Sequence, residues 1–246
     1  MDSGRARVLQ QSDPRKCRVT YKGKANRWSP VWENNPRIAA QGEAGDFQEL
    51  VARDMNNMRA YHVAKTDERW FYNPAFRPDV GEIYFSDLER AFGARRAGLI
   101  VIEPHIKPGA SPNKSWGWAR WQALARLMCR AGMRPVQLGP PGTPRLDGVE
   151  LLETPNFRFA ATVLAGARAA ILPEGGLHHA AAALGVPSVV IFGGYISPAL
   201  TGYDMHRNLF TGGEPCGMRR PCAHCAAAMT AITPEQVFNE LSEVLK

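Results

Sequence analysis

The second half of this chain alternates short apolar segments with segments of helical periodicity, and this alternation constrains the fold more than any other feature. The apolar segments are five to eight residues long, which is the usual length of a β-strand. They occupy residues 98–105, 134–139, 149–153, 169–174 and 188–194. Predicted helices lie at residues 115–132, 156–167, 175–185 and 233–246. Asn156 and Thr233 stand where two of these helices need a capping side chain.

This order of elements predicts an open parallel sheet covered by helices on both faces. We therefore expect one α/β domain over residues 97–246, ending in the helix at 233–246. Residues 1–96 are predicted to form a separate, smaller domain with a strand at 17–23 and a helix at 86–93. Ligands of such sheets bind beyond the C-terminal ends of the strands, so we look for a site there.

Composition and charge restrict the class of protein. Hydrophobic residues make up 45% of the 246 residues and charged residues 22%, as in globular proteins. No apolar run approaches the ~20 residues that span a bilayer, and the N-terminus has no apolar core of a secretion signal. These features predict a cytoplasmic protein without a membrane span, although peripheral association stays open.

The formal net charge of +7 is concentrated near the start of the chain. Residues 1–30 contain eight lysines and arginines but only two acidic residues. A basic surface attracts phosphate-rich partners such as nucleotides or nucleic acid. Ordinary solvated surface explains the same residues equally well, and no run of consecutive basic residues indicates nucleic acid.

The sequence Glu-Gly-Gly-Leu-His-His at 174–179 follows one predicted strand and begins a helix. The first N–H groups of a helix lack partners within it, and the helix dipole favours an anion there. Gly175 and Gly176 allow a ligand to approach the backbone closely. We predict a phosphate site in which Glu174 faces hydroxyl groups and neutral His178 and His179 form hydrogen bonds. A plain tight turn with surface histidines is the alternative.

A second loop follows the strand at 98–105 and should lie at the same edge of the sheet. It offers Ser111, Asn113 and Lys114 just before the next helix. The chain contains neither the glycine-rich dinucleotide motif nor the phosphate-binding loop of NTPases. Two predicted phosphate-binding loops that carry neither motif suggest a diphosphate ligand other than a dinucleotide or the NTP of a P-loop NTPase.

Several motifs in this half resemble glycosyltransferase family 9, the heptosyltransferase family. The resemblance covers roughly residues 98–245 and depends on motifs that follow one another in the family's order. The matching positions are Ser111, Lys114 and Trp116, then Glu174, Gly175, Gly176, His179, Ala182 and Ala183, and then Pro187, Phe192 and Gly193.

The resemblance implies a GT-B-like fold, in which two Rossmann-like domains with parallel sheets face each other across a cleft. It also implies metal-independent, inverting transfer from a nucleotide-diphosphate sugar to a lipopolysaccharide or other glycan acceptor, with no cofactor. Ser111 and Lys114 would contact the diphosphate, and the stretch Glu174, Gly175, Gly176, Leu177, His178 and His179 would hold diphosphate and sugar. The nucleoside would lie near Gly139, Pro140, Thr143 and Pro155.

Three features depart from the family pattern. Glu174 replaces an aspartate, and Gly194-Tyr195 stands where Pro-Thr is usual. The N-terminal domain looks shortened, and the Gly-Asp loop that carries the family's proposed general base is not evident. No catalytic residue is therefore assigned. A catalytically impaired nucleotide-sugar-binding relative and a phage-type nucleic-acid base glycosyltransferase remain alternatives.

Other chemistry-bearing residues admit two interpretations. A weak candidate for a metal site comprises Cys216, Cys222 and Cys225 with His206 and His224. The cysteines supply only three ligands, and His224 lies awkwardly inside the Cys-x-x-Cys, so we expect packing of the final loop instead. The tryptophans at 116, 118 and 121 have helical spacing, which is typical of core residues, although a stacking platform stays open. Residues 204–207 are predicted to lie in a loop that reaches into the cleft, and an ordinary surface loop is an equally good interpretation. Aromatic residues of the first half are candidates for the acceptor side: Trp28, Trp32, Trp70, Tyr72 and Phe76.

Overall fold

A computed structural model describes residues 2–21, 24–25, 28–51 and 59–246. The first 96 residues contribute short elements, and the predicted strand and helix are both present, with Lys22 and Gly23 outside the described residues. The elements are α1 (Asp2–Leu9), β1 (Cys17–Tyr21), β2 (Lys24–Ala25), a 3-10 turn (Pro30–Trp32), β3 (Gln48–Val51), β4 (His62–Lys65), β5 (Trp70–Tyr72) and α2 (Asp87–Ala94).

These first elements form two small sheets. β1 lies between β2, which is antiparallel to it, and β3, which is parallel to it. β4 and β5 form an antiparallel hairpin of their own. A small apolar cluster that includes Cys17, Trp32 and Leu50 fills the space between α1 and the three-stranded sheet.

The remaining residues form the α/β sheet that the alternating pattern predicts. The elements are β6 (Ile100–Ile102), a 3-10 turn (Pro112–Lys114), α3 (Trp118–Arg130), β7 (Pro135–Gly139), β8 (Glu150–Glu153), α4 (Phe157–Ala165), β9 (Ala169–Pro173), α5 (Gly176–Ala183), β10 (Ser188–Gly193), α6 (Pro198–Thr201), β11 (Arg207–Phe210), α7 (Ala223–Ala231) and α8 (Pro234–Val244). Their six strands have the order β11-β10-β9-β6-β7-β8, and every pair is parallel.

Helices cover both faces of this sheet, and each face has its own apolar core. One core packs α3 and α8 against the sheet through residues such as Trp121, Met128 and Leu241. The other packs α4 and α5 through residues such as Val163 and Leu177. β7, β9 and β10 are buried throughout, as expected for central strands of a parallel sheet.

The predicted helix caps are present. Asn156 accepts hydrogen bonds from the backbone N–H groups of Arg158 and Phe159, and Thr233 accepts one from Gln236. These bonds fix where α4 and α8 begin, because they satisfy N–H groups that have no partner inside the helix.

Three features differ from the sequence expectations. Residues 207–210 form the edge strand β11 rather than a free loop, and α7 was not predicted. The helical spacing predicts a core position for Trp118, but its side chain is 40% exposed because it is the first residue of α3. Trp116 and Trp121 are core residues that meet edge to face.

α2 precedes the boundary predicted at residues 96 and 97, yet it packs against α4 of the large sheet. Gly93 makes the close approach possible, because a Cβ atom there would lie 2.4 Å from the carbonyl oxygen of Thr162. The boundary itself stays a prediction. Among the described residues, no helix has the length and apolar character to cross a membrane.

Candidate functional site

The candidate site lies where the direction of strand order reverses. β6 pairs with β7 on one side and with β9 on the other, so the loops that follow β6 and β9 leave the sheet in opposite directions. Open α/β sheets bind ligands in the crevice at such a switch point, beyond the C-terminal strand ends. The two loops predicted to bind phosphate are the loops at this position.

Lys114 and Glu174 meet at this switch point as an ion pair. The Lys114 ammonium contacts the Glu174 carboxylate, and their side chains are only 17% and 4% exposed. The same ammonium lies 5.2 Å from the centre of the Tyr195 ring. Burial alone would raise the pKa of Glu174, but Lys114 and then His178 outweigh it and hold the pKa below its usual value. The carboxylate is therefore ionised and the pair is charged.

His178 is part of the structure that begins α5. Its Nδ1 accepts the backbone N–H of Gly175 at 2.9 Å, and its Nε2–H donates to the carbonyl oxygen of Thr201 at 2.7 Å. The ring is fully buried, and burial lowers its pKa despite the nearby Glu174 carboxylate. The interpretation of a turn with surface histidines is thus wrong for His178.

His179 and its neighbours extend the buried polar group toward β10 and β11. The Nδ1 atom of His179 is 2.9 Å from the Tyr203 hydroxyl. Burial, and then His178, lower the pKa of His179 well below its usual value, while burial lowers that of His206 to about 4. The lowered pKa values agree with the predicted neutral state of the two histidines, and burial is their largest cause.

The hydroxyl of Ser111 is engaged within the chain. It donates to the carbonyl oxygen of Met218 at 3.0 Å and accepts the backbone N–H of Asn113 at 3.4 Å. The side-chain amide of Asn113 donates to the carbonyl oxygens of Met218 and Arg220. These bonds tie the 3-10 turn that carries Lys114 to the segment before α7.

The four residues predicted on the nucleoside side lie at the same sheet edge, after β7 and β8. The backbone N–H of Thr143 donates to the carbonyl oxygen of Pro140 and closes the turn there. Gly139 is required for this turn, because a Cβ atom would lie within 2.8 Å of three Thr143 side-chain atoms. Pro140 and Pro155 are exposed, so this end of the edge is open to a ligand.

Phe157 closes the stretch 154–157 that the resemblance places beside the nucleoside. Its partly exposed ring begins α4 and lies beside Gly176, where a Cβ atom would be 3.2 Å from the ring. Glu103 is a residue of this edge that the sequence analysis missed: it directly follows β6, and burial raises its pKa to about 8. The position of an acid immediately after a central strand was the available signal for Glu103.

In the part of the chain that the structure describes, two groups of side chains bring potential metal ligands within 4.8 Å of one another. One is Glu174, His178 and His179, in which the Nδ1 atom of His178 is already an acceptor for Gly175. The other comprises Cys216, Cys222, His224 and Cys225. His206 lies instead beside His178 and Tyr203.

The family model of glycosyltransferase family 9 (heptosyltransferase) matches residues 89–227, which is more than half of the chain and includes both switch-point loops. This chain belongs to glycosyltransferase family 9. Lipopolysaccharide heptosyltransferase 1 of Pseudomonas aeruginosa is 31% identical in an alignment 143 residues long, which covers 54% of this chain and 38% of that protein.

Two solved structures show the same fold at low identity. E. coli ADP-heptose lps heptosyltransferase II is 21% identical with a TM-score of 0.51, over 68% of this chain and 54% of that one. The glycosyl transferase family 9 protein of Veillonella parvula is 16% identical with a TM-score of 0.52, over 68% and 55%. The predicted α/β, GT-B-like fold class is confirmed. The chain spans about half the length of these structures, or less in the Pseudomonas protein.

In this family 9 chain, the fold brings Ser111, Lys114 and residues 174–179 to one edge, as the resemblance implies. Lys114 and Glu174 contact each other, which the sequence did not predict. The assignment of these residues to diphosphate, sugar and nucleoside stays a prediction.

Proposed function

We propose that this chain forms the donor-binding part of a glycosyltransferase that transfers a sugar from a nucleotide-diphosphate donor to a glycan acceptor. The observation that carries the proposal is the charged Lys114–Glu174 pair at the start of α5, at the switch point of the sheet. Family membership and the relative named a lipopolysaccharide heptosyltransferase support a heptose or hexose donor and a lipopolysaccharide-type acceptor.

The diphosphate of the donor would lie at the N-terminus of α5. The first N–H groups of the helix point out of it, and the helix dipole adds about half a positive charge at this end. The Lys114 ammonium supplies a full positive charge beside them. His178 keeps the first turn rigid through its bonds to Gly175 and Thr201, so these donors are oriented before the ligand arrives.

Glu174 has a different part in this mechanism. Its carboxylate neutralises the charge of the Lys114 ammonium while no donor is bound. When the diphosphate replaces it as the partner of the ammonium, its oxygens become acceptors for sugar hydroxyl groups. Glutamate reaches one methylene further than the aspartate of the family pattern, so we expect this residue to influence which sugar is accepted.

The reaction would be a direct displacement at the anomeric carbon, with inversion of its configuration. The acceptor hydroxyl oxygen forms the new bond as the bond to the diphosphate breaks, and the negative charge leaves on the diphosphate. Lys114 and the helix N-terminus stabilise that charge, so no metal ion is needed for departure. A base must take the proton of the acceptor hydroxyl, and we assign none.

A nucleic-acid acceptor is less well supported. Several basic side chains of the first 30 residues are held in ion pairs: Arg7 with Glu82, Arg15 with Asp13 and Asp46, and Lys16 with Glu43. These pairs reduce the positive charge that residues 1–30 offer to phosphate groups.

Calorimetry with ADP, GDP, UDP and their sugars, without added divalent cations, tests donor binding. We expect one nucleotide to bind and Lys114→Ala to weaken it about 10- to 100-fold, the loss of a hydrogen bond to a charged group. Lys107→Ala is the matched control, because Lys107 is an exposed lysine of the same loop. The absence of binding to any nucleotide, or an equal loss in both variants, would refute the proposal.

A transfer assay tests the reaction itself. Product formed from the bound nucleotide sugar and a lipopolysaccharide-type acceptor should have the opposite anomeric configuration from the donor, as measured by NMR coupling constants. Retention of configuration would exclude the direct displacement. Donor binding with neither hydrolysis nor transfer to any acceptor would favour the impaired relative.

A further inference from the structure

Three cysteines and one histidine converge beside the loop that follows β11. We call Cys216, Cys222, His224 and Cys225 the cysteine cluster. The Sγ atom of Cys216 is 3.8 Å from that of Cys222 and 3.0 Å from that of Cys225. The Nδ1 atom of His224 is 3.8 Å from the Sγ atom of Cys225. All three sulfurs are free thiols, so no disulfide accounts for their approach.

The spacing of these four atoms suits a tetrahedral cation. Zinc binds thiolate sulfur at about 2.3 Å and imidazole nitrogen at about 2.0 Å, so ligand atoms at the corners of its tetrahedron lie roughly 3.5–3.8 Å apart. Two of the three distances have this value, and all four atoms lie within 4.8 Å of one another. The sequence suggested that His224 is badly placed inside the Cys-x-x-Cys, but the first turn of α7 brings its ring to the sulfurs.

Hydrogen bonds around the cluster orient the ligand atoms. The Nε2–H of His224 donates to the carbonyl oxygen of Gly212 at 2.7 Å, which leaves the Nδ1 lone pair facing the sulfurs. This second bond of a ligating histidine to a carbonyl oxygen is typical of metal sites. The backbone N–H of Met218 donates to Cys216 at 3.4 Å, and that of Cys225 donates to Cys222 at 3.5 Å. Such bonds stabilise thiolates, which are the forms that bind metal.

We propose that the cysteine cluster binds one zinc ion in a closed structural site. Three thiolates and one imidazole fill the four positions of the tetrahedron, so no position is left for water or substrate. The site is separate from sugar transfer. Its effect is to hold the segment between β11 and α7 in place.

That segment connects three parts of the protein. The carbonyl oxygen of Met218 accepts hydrogen bonds from Ser111 and Asn113, next to Lys114. The carbonyl oxygen of Gly217 accepts the backbone N–H of Trp70 in the β4–β5 hairpin. Zinc would therefore fix both the turn that carries Lys114 and the hairpin of the first half.

Metal analysis of the reduced 246-residue chain is the direct test. We expect about one equivalent of zinc in the wild type and in Cys129→Ser, a matched control whose exposed thiol lies outside the cluster. Cys222→Ser and His224→Ala should weaken zinc binding at least about 10-fold, measured by competition with a chromogenic chelator. Cobalt in place of zinc should give the intense visible bands of a tetrahedral thiolate complex in the wild type and the control alone.

A second measurement uses only the wild type, in case the variants do not fold. A thiol reagent should find the three cluster cysteines protected, and removal of the metal by a chelator should expose them. The proposal is overturned if reduced wild-type protein retains less than about 0.2 equivalents after zinc is supplied and excess removed. It is also overturned if Cys129→Ser loses zinc as Cys222→Ser does. Neither result depends on whether the protein binds a nucleotide sugar.

Discussion

The buried ion pair between Glu89 and Arg158 offers the sharpest test of how the first half is held to the large sheet. The Glu89 carboxylate accepts two hydrogen bonds from the Arg158 guanidinium, at 2.5 and 2.7 Å. The same guanidinium donates to the carbonyl oxygens of Pro30 and Tyr84. One side chain of α4 thus joins α2, the residues before it and the 3-10 turn at Pro30–Trp32.

Replacing Glu89 by glutamine keeps the shape of the side chain and removes its charge. The hydrogen bonds from Arg158 outweigh burial and, with those from Ser86, lower the pKa of Glu89 from 4.5 to about 2. Each pKa unit corresponds to 1.36 kcal/mol, so the ionised form stabilises the folded state by about 3 kcal/mol relative to the protonated form. Breaking a buried ion pair costs about 3–5 kcal/mol, which agrees with this value.

The contribution of Glu89 should depend on pH with a definite sign. Because the pKa is lowered on folding, the stabilisation is present above about pH 4.5 and is lost as the pH falls toward about 2. Glu89→Gln imitates the protonated state permanently. We therefore expect the variant to be about 3 kcal/mol less stable than the wild type at pH 7, with a difference that shrinks toward zero near pH 2.

Urea unfolding followed by circular dichroism at several pH values measures this difference. A loss of about 3 kcal/mol corresponds to a Tm lowered by roughly 6–12 °C in a chain of this size. Asp87→Asn is the control on the same helix: its side chain is 99% exposed and pairs with Arg90 at the surface, so we expect little change. A loss in Glu89→Gln that is no greater than in Asp87→Asn, or one that does not depend on pH below 4.5, would refute the reasoning.

Two further predictions concern packing and protonation. Gly93→Ala should destabilise the protein by about 1–3 kcal/mol in urea unfolding, since its Cβ atom would lie 2.4 Å from the backbone oxygen of Thr162; equal or higher stability would contradict the packing of α2 on α4. Burial and then His178 lower the pKa of His206 to about 4, so the unfolded chain takes up its proton first and stability should fall as the pH drops from about 6.5 to about 4. His206→Leu should lessen this fall in thermal unfolding, and an unchanged slope would be evidence against it.

The large sheet could be predicted from the sequence because its strands are buried on both faces. A continuous apolar run such as residues 169–173 has one favourable placement, the centre of a parallel sheet, and Gly185 with its positive φ ends the helix that follows. The position of the candidate site follows from the same reasoning. Loops after neighbouring parallel strands meet at one edge, so the sequence predicts Lys114 and Glu174 there, although it does not predict their contact.

The elements that escaped prediction have weak local signals. β11 has four residues, of which only Leu209 is buried, so it resembles a loop until it pairs with β10. α7 has no alternation of apolar and polar faces, and what fixes its start is the side chain of Cys222 as a cap. The hydrogen bond that His178 donates to Thr201 could not be predicted either, because Thr201 lies 23 residues further along the chain.

The two residues that depart from the family pattern after β10 have a structural reason in this fold. A Cβ atom on Gly194 would lie 2.8 Å from the His224 ring and 2.9 Å from the Ala228 side chain, so any larger residue would push α7 away. The next residue, Tyr195, lies beneath the Lys114 ammonium, and its carbonyl oxygen accepts the hydroxyl of Tyr72 from the β4–β5 hairpin.

Gly194 thus leaves the space in which the His224 ring packs beside the cysteines. Tyr195 links Lys114 of the candidate site to the hairpin of the first half. Proline and threonine could make neither arrangement: proline would place a ring where His224 packs, and threonine has no aromatic face for an ammonium. A larger residue at position 194 should therefore displace α7 and the cysteine cluster first. Loss of the aromatic ring at position 195 should instead alter the position of the Lys114 side chain. Through these two residues, contacts with both α7 and the hairpin position Lys114 at the switch point.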